Sequence, residues 1–179
     1  TIYPTLINPG ATGINEGQHE FIGNMVNTWS GSDGTPVNYT FGYSGSFGKS
    51  VGLGLQLMNE TNAAISRFKA SIAYAYKVKF DNANFSIGMT TEFQQKRLRN
   101  GILNDPSIDP TDAYLLAAND GVKFFDFGLG IHAKINQTLT LGVALPNMVH
   151  TYITKPDIAS TEDQKYLGNF VGYLLNRFK

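Results

Sequence analysis

Apolar and polar residues alternate along most of the chain with a period of two, which is typical of β-strands. In residues 65–80 one face carries Phe, Ala, Ile, Tyr and Val, whereas the other carries Arg, Lys, Ser and Ala. The pattern predicts about eight strands, at residues 20–29, 37–47, 51–58, 65–80, 85–96, 122–135, 138–145 and 166–178. We therefore expect an all-β protein.

Long and short connections alternate between these strands. The long ones are 30–36, 59–64, 97–121 and 146–165. Bacterial outer-membrane barrels show this alternation, with short periplasmic turns and longer extracellular loops. The sequence thus predicts an antiparallel up-and-down outer-membrane β-barrel with about eight strands in this chain. Whether these strands form a complete barrel or part of a larger one stays open. We expect a periplasmic amino-terminal segment at 1–19 and transmembrane strands over 20–179, with a long extracellular loop at 97–121.

The period of two does not say which face points outward. The polar faces are rich in Gly, Ser, Ala and charged residues, whereas the apolar faces carry Tyr and Phe near the strand ends, as in the aromatic girdles of membrane barrels. This favours apolar faces that meet lipid. A soluble β-sandwich or a lipocalin-like binding protein, with the apolar face inside, stays open as an alternative. Around the 81–84 turn we expect Lys79 opposite Ser86 and Ala73 opposite Glu92.

Composition narrows the possible functions. The chain has 14 basic and 14 acidic residues, so its net charge of zero offers no electrostatic footprint for nucleic acid. It contains no cysteine, which excludes disulfides and thiolate chemistry. Only 16% of the residues are charged, whereas aromatic residues and glycines are plentiful. Such a composition is unusual for a soluble protein and compatible with a membrane barrel.

Motifs for catalysis or for cofactors are weak. Gly48-Lys49-Ser50 looks like the end of a phosphate-binding loop, but the spacing to earlier glycines is wrong and a strand pattern follows. We therefore predict a tight hairpin turn there. His19, His132 and His150 lie in different predicted elements, and no nucleophile-elbow motif occurs. We expect no enzyme activity, no catalytic residue, no metal site and no cofactor.

Two groups of charged residues remain as candidates. Asp109 and Asp112 belong to an acidic stretch that lacks the EF-hand pattern, so we expect an ordered extracellular turn. A lumen-facing basic track is predicted on one strand, formed by Arg67, Lys69, Lys77 and Lys79. This track either attracts anions or is balanced by Glu92 and Asp126 inside the barrel, and the second interpretation is favoured.

Several short motifs together carry a resemblance. Residues 8–13 read Asn-Pro-Gly-Ala-Thr-Gly, similar to an Asn-Pro-Ala-x-x-Gly motif, with Gly10 in place of the usual alanine. Further fragments follow in order: Trp29, Pro36, Gly52–Leu55, Tyr74–Tyr76, Asp109–Asp112, Phe125–Gly130 and Leu141–Asn147. The chain resembles the PorP/SprF family of outer-membrane proteins of the type IX secretion system in Bacteroidetes. Because family members are typically longer, we expect that a carboxy-terminal part of the barrel is missing here.

The resemblance implies a non-enzymatic role in the bacterial cell outer membrane. Its implied partners are the lipid bilayer, PorK/PorN-like periplasmic ring proteins and secreted surface adhesins, including those of gliding motility. We predict that Asn8, Pro9 and Gly13 form a docking surface for the ring; a plug or a rigid lead-in to the first strand is the alternative. An outer-membrane channel for small solutes stays open as a different function.

Overall fold

The computed structural model describes residues 3–28, 35–62, 65–98, 121–136, 138–149, 151–154 and 170–176. Two single-turn 3-10 helices, Pro4–Leu6 and Pro9–Ala11, precede the first strand. The strands are β1 His19–Asn27, β2 Val37–Phe47, β3 Val51–Thr61, β4 Ile65–Lys79, β5 Ala83–Leu98, β6 Val122–Ile135, β7 Leu139–Leu145, β8 Thr151–Thr154 and β9 Val171–Asn176.

These strands form one antiparallel sheet that curls into a half-barrel. Its strand order is β1-β2-β3-β4-β5-β6-β7-β9, and β8 pairs with the first part of β6. From β1 to β7, strands next to each other in sequence are therefore neighbours in space, as the hairpin periodicity predicts. The predicted all-β, up-and-down architecture is confirmed. We call the end with the connections after β2, β4 and β6 the turn end, and the opposite end the loop end.

The turn between β2 and β3 confirms the hairpin prediction for Gly48-Lys49-Ser50. Phe47 pairs with Val51, so these three residues alone form the connection. Gly48 adopts a φ of 65°, a left-handed conformation that glycine accepts without steric cost. A three-residue hairpin with one left-handed position is a common solution for such a turn.

The sequence-based prediction missed β8, which falls inside the predicted connection 146–165. After β7 the chain leaves the sheet at Pro146, whose missing N–H cannot continue the ladder, and Asn147 turns with a φ of 58°. The chain then returns to the sheet opposite Phe124 and Phe125. A four-residue strand is too short to give a recognisable alternation.

The predicted register of the β4–β5 hairpin is wrong by two residues. Ser86 pairs with Lys77 rather than Lys79, and Glu92 pairs with Ser71 rather than Ala73. The reason is a tighter turn, in which the Phe80 N–H donates to the Ala83 carbonyl oxygen at 2.8 Å. Because the error is an even number of residues, each side chain still lies on the predicted face.

The apolar faces of the strands lie on the convex side of the half-barrel. Ile72, Ile87 and Ile131 of three adjacent strands are 65%, 56% and 56% exposed. At about 3.3 Å per residue, the outward side chains from Phe68 to Val78 extend over roughly 33 Å of strand. At the usual tilt of barrel strands this gives a band roughly 25 Å tall, which is the height of the apolar band of membrane barrels. The outward orientation predicted for these faces is confirmed.

Candidate functional site

Residues 3–18, which we call the amino-terminal segment, lie across the concave face of the half-barrel. The second 3-10 helix contacts β4, β5, β6 and β7. Asn8 and Thr12 are each only 1% exposed, and Pro9 to Ala11 between them are buried. The largest fully buried side chains of the described residues, those of Asn8 and Thr12, therefore belong to this segment and not to a strand.

A row of small residues on the concave face provides the space for this segment. The row follows the strand register across six strands: Ser46, Gly52, Ala75, Gly88, Gly130 and Ala144. A Cβ atom on Gly52 would overlap the Thr12 carbonyl oxygen, and one on Gly88 would overlap the Pro9 carbonyl oxygen. Glycine is needed at both positions because the backbone of the segment touches the backbone of the sheet.

A second row lies on the same face, two residues nearer the turn end, and most of its side chains are polar. It consists of Lys77, Ser86, His132, Gly142 and Tyr173. Lys77 Nζ donates to the Gly13 carbonyl oxygen at 2.7 Å and to Ser46 Oγ at 2.5 Å. Ser86 Oγ donates to the Gly10 carbonyl oxygen. The small-residue row thus gives room to the segment, and the polar row satisfies its backbone carbonyls.

Asn8 ties the segment to two strands of the sheet. Its Oδ1 accepts a hydrogen bond from the Gly10 N–H at 2.8 Å and so caps the second 3-10 helix. Its Nδ2 donates to the Ile131 carbonyl oxygen at 2.9 Å and to the Tyr173 hydroxyl at 3.1 Å. The same hydroxyl lies 2.6 Å from His132 Nδ1. One asparagine therefore links the segment to β6 and to β9.

Gly13 closes the seated part of the segment. Its N–H donates to Ser44 Oγ at 2.8 Å, and its φ of 60° is left-handed. A side chain here would meet the Gly45 carbonyl as well as the strained backbone conformation. The chain then emerges at the turn end, where residues 15–18 are exposed.

Each cation of the predicted basic track has a partner. Lys69 Nζ lies 2.5 Å from Glu92 Oε2, and Arg67 lies 3.2 Å from Glu60 Oε2. Lys79 pairs with Glu16 of the amino-terminal segment at 3.0 Å, and Lys77 holds Gly13. The geometry thus supplies partners for all four side chains, and anion attraction by the track stays a prediction.

Glu16 is the acidic residue that the segment places among lysines at the turn end. The hydrogen bond and the positive charge of Lys79 hold the pKa of the Glu16 carboxyl below its ordinary value, with smaller contributions from Lys49 and Lys77. The carboxylate therefore stays ionised at neutral pH, and its ion pair with Lys79 fastens the exposed part of the segment to β4.

A cavity of about 210 Å³ lies between the segment and the concave wall. Leu6 and Ile22 give it an apolar side, whereas Lys69 and Glu92 give it a polar one. Pro146 closes part of it, because the chain folds inward after β7. The Lys69–Glu92 ion pair of the basic track therefore faces this cavity.

The structure places the predicted site residues as follows. Asn8, Pro9 and Gly13 lie in the part of the amino-terminal segment that is buried against the sheet, and their role in partner docking stays a prediction. Asp109 and Asp112 lie outside the described residues. Sequence reasoning missed the polar row, in particular Ser86, His132 and Tyr173. In the sequence, each of these strands shows only a single polar or small residue at the relevant position. These residues line up as a row only once the strand register is known.

Within the described ranges, no group of His, Asp or Glu residues is arranged to hold a metal ion. In the same part of the chain, no helix is long and apolar enough to cross a membrane.

A curled antiparallel sheet with an apolar convex face and a chain segment on its polar concave face is the architecture of the transmembrane β-barrel class. A family model described as "Type IX secretion system membrane protein PorP/SprF" matches residues 2–177. The chain belongs to this family and is a membrane component of the type IX secretion system. No curated protein and no solved structure matches it.

Proposed function

We propose that this chain is a non-enzymatic scaffold of type IX secretion in the bacterial outer membrane, which holds the periplasmic ring of the machine at its turn end. In this proposal the ring consists of PorK/PorN-like proteins. The observation that carries the proposal is the seated amino-terminal segment, which leaves its exposed residues 15–18 beside the short turns.

Orientation follows from the lengths of the connections. Outer-membrane barrels place short turns in the periplasm and long loops outside. The turn end has the three-residue connection after Phe47 and the tight turn after Lys79. We therefore assign the turn end to the periplasm, where the ring would meet it, and the predicted loop 97–121 to the cell surface.

The contacts of the segment explain how Asn8, Pro9 and Gly13 contribute to docking in this proposal. They are buried, so they do not touch the ring directly. Instead they position the exposed residues after them, with Glu16 fixed on Lys79 at 3.0 Å. A partner then meets a surface that is already ordered, which lowers the entropic cost of association.

A channel for small solutes fits the concave face less well. The segment runs across this face from β2 to β7, and hydrogen bonds hold it at Gly10 and Gly13. Conductance in planar bilayers separates the two functions, because a scaffold with a seated segment carries little current. A lipocalin-like binder would need its apolar faces inside, which is opposite to the observed arrangement.

The proposal is tested by solubilising native membranes mildly and separating the complexes on a native gel. We expect this chain to migrate with large periplasmic ring components. Gly13→Ala should abolish that co-migration, because the added Cβ meets the Gly45 carbonyl and displaces the segment. Gly23→Ala is the matched control: it adds the same methyl group on β1, outside the amino-terminal segment, where no atom of the described residues lies within 4 Å of the new Cβ.

Heat-dependent migration on a denaturing gel shows whether each variant still contains folded barrel. If folded Gly13→Ala stays with the ring, the segment does not position the docking surface. If the unmodified chain migrates alone or with surface adhesins, the ring-scaffold function is rejected, and in the second case adhesin anchoring, with its link to gliding motility, takes its place.

A further inference from the structure

A groove of about 230 Å³ lies at the turn end, between the exposed part of the amino-terminal segment and the sheet. We call it the turn-end groove. The segment contributes Asn15, Glu16 and Gln18 to its wall, and the sheet contributes Lys49, Lys79 and Asn84. Because one side of the wall is the segment itself, the groove exists only while the segment is seated on the concave face.

Positive charge exceeds negative charge along this groove. Three of its lining residues carry an ammonium group: Lys49, Lys77 and Lys79. Glu16 is the one carboxylate among the described residues that line it. Glu20 of β1 and Asp81 of the turn after β4 do not belong to its wall. The wall therefore has two positive charges more than it balances.

The cations around the groove differ in what already binds them. Lys77 is buried and holds the Gly13 carbonyl oxygen, and Lys79 pairs with Glu16 at 3.0 Å. Lys49 is exposed in the hairpin turn and forms no ion pair with a carboxylate of the described residues. The same holds for Lys134, which lies on the concave face of β6 in register with Asn84 of the groove wall. Two cations thus stand ready for carboxylates from outside the described chain.

Glu16 indicates the kind of group that the groove binds. The hydrogen bond and charge of Lys79 lower the pKa of its carboxyl most, and the charges of Lys49 and Lys77 lower it further. Three ammonium groups therefore act on one carboxylate at the same place. A second carboxylate near Lys49 would meet the same positive field.

We propose that the turn-end groove binds an acidic segment of a periplasmic protein, with carboxylates on Lys49 and Lys134 beside the Lys79–Glu16 ion pair. The side-chain amides of Asn15, Gln18 and Asn84 offer hydrogen-bond donors and acceptors to the backbone of such a segment. The inference rests on the proposed function, because it gives the chemistry of the surface that the turn end presents to the ring.

An acidic peptide segment fits the groove better than a lipid or a small anion. Lys77, Lys79 and Lys134 lie on the concave face, opposite the apolar face, so lipid headgroups do not reach them. A small anion uses the ammonium groups but not the amides that line the same groove. A peptide with several carboxylates uses both, and charge complementarity of this kind favours fast and specific association.

The test uses the full chain in uncharged detergent and follows the fluorescence anisotropy of labelled hexaglutamate, hexaglutamine or hexalysine. We expect hexaglutamate to bind in preference to the other two, and inorganic phosphate at equal concentration to displace little of it. The double variant Lys49→Gln with Lys134→Gln should weaken hexaglutamate binding roughly tenfold, the sum of two exposed ion pairs at about 0.7 kcal/mol each.

The matched control is the double variant Arg97→Gln with Lys123→Gln. It also removes one exposed cation and one half-buried cation of β6, but at the loop end, and should change the affinity less than about twofold. Equal losses in the two double variants would overturn the proposal. So would equal binding of hexaglutamine, displacement by equal phosphate, or an affinity that high salt leaves unchanged.

Heat-dependent migration on a denaturing gel shows whether each variant is folded. Lys49→Glu replaces the Lys49 and Lys134 double variant if that variant does not fold, because it changes only an exposed turn residue. Reversal of this charge should weaken hexaglutamate binding at least as much as its removal. A folded Lys49→Glu chain that binds hexaglutamate as tightly as the original chain contradicts the proposal.

Migration with the ring on a native gel separates this inference from the proposed function. If the unmodified chain migrates without the ring but binds hexaglutamate selectively, the ring-scaffold function fails and the acidic-segment site stands with a different partner. If the unmodified chain and the folded Lys49 and Lys134 double variant both migrate with the ring to the same extent, the proposed function stands and this inference fails.

Discussion

The convex and concave faces of the sheet come from the same strands but depend on different partners. The convex face carries large exposed apolar side chains, such as Phe21, Ile72 and Leu174. The concave face carries glycine, alanine and serine in one row and hydrogen-bonding groups in the next. An apolar surface of this extent is unfavourable in water, whereas lipid tails accommodate it.

The concave face would be a poor sheet surface without the amino-terminal segment. Glycines such as Gly52 and Gly88 weaken a strand because they bring no side chain to pack. Here the missing side chains leave space for Pro9 and Thr12, whose carbonyl groups lie against the sheet. The convex face is thus stabilised by the surrounding lipid, and the concave face by the amino-terminal segment of the same chain.

The substitution with the largest expected effect on stability lies on the convex face. Ile72→Lys places a charge near the middle of the apolar band, and we expect it to lower the free energy of unfolding in lipid vesicles by about 2–4 kcal/mol. Gln56→Lys is the control, because Gln56 lies on the concave face beside the cavity, and it should cost less than about 1 kcal/mol. Denaturant titration followed by gel mobility measures both. Similar losses would show that the convex face does not meet lipid.

The substitution with the next largest expected effect lies on the concave face. A methyl group at Gly88 would overlap the Pro9 carbonyl, so Gly88→Ala should cost about 1–3 kcal/mol of folding free energy and expose the segment to protease. Gly23→Ala adds the same methyl group where no atom of the described residues lies within 4 Å, and stability should stay unchanged or rise by up to about 1 kcal/mol. If Gly88→Ala leaves the segment protected, the small-residue row does not seat it.

The two faces also differ in how far the sequence predicts them. The alternation in β4 and β5 is long enough to give both faces correctly, and an even register error did not exchange them. The strand after Pro146 was missed because four residues carry too little periodicity. The contacts of Asn8 were not predictable, since they join it to residues 123 and 165 positions away, and local pattern holds no information on such pairings.

Substitutions of Asn8 have a smaller expected effect and test its two roles, the cap on the second 3-10 helix and the link to the sheet. Asn8→Ala removes the cap on Gly10 and the hydrogen bonds to Ile131 and Tyr173, and should cost about 1–2 kcal/mol. Asn8→Asp keeps the acceptor for the Gly10 N–H but replaces the donor with a buried carboxylate oxygen that faces the Ile131 carbonyl, so it should be at least as destabilising as Asn8→Ala. Asn15→Ala, at an exposed position of the same segment, should have almost no effect. Thermal unfolding in detergent compares the three, and equal midpoints for Asn8→Ala and Asn15→Ala would exclude the link.

The smallest effect concerns the exposed end of the segment, where the concave arrangement meets water. The Glu16 pKa is lowered in the folded chain, so the Lys79 ion pair stabilises the fold above the ordinary value of 4.5 and is lost as the pH falls through the lowered pKa. Glu16→Gln should therefore lower the unfolding midpoint slightly at about pH 7 and have no effect at strongly acidic pH. High salt should shrink the difference, because both side chains are exposed. Glu20→Gln is the control, and a Glu16→Gln effect that persists in acid would mean that Glu16 acts through packing and not through its charge.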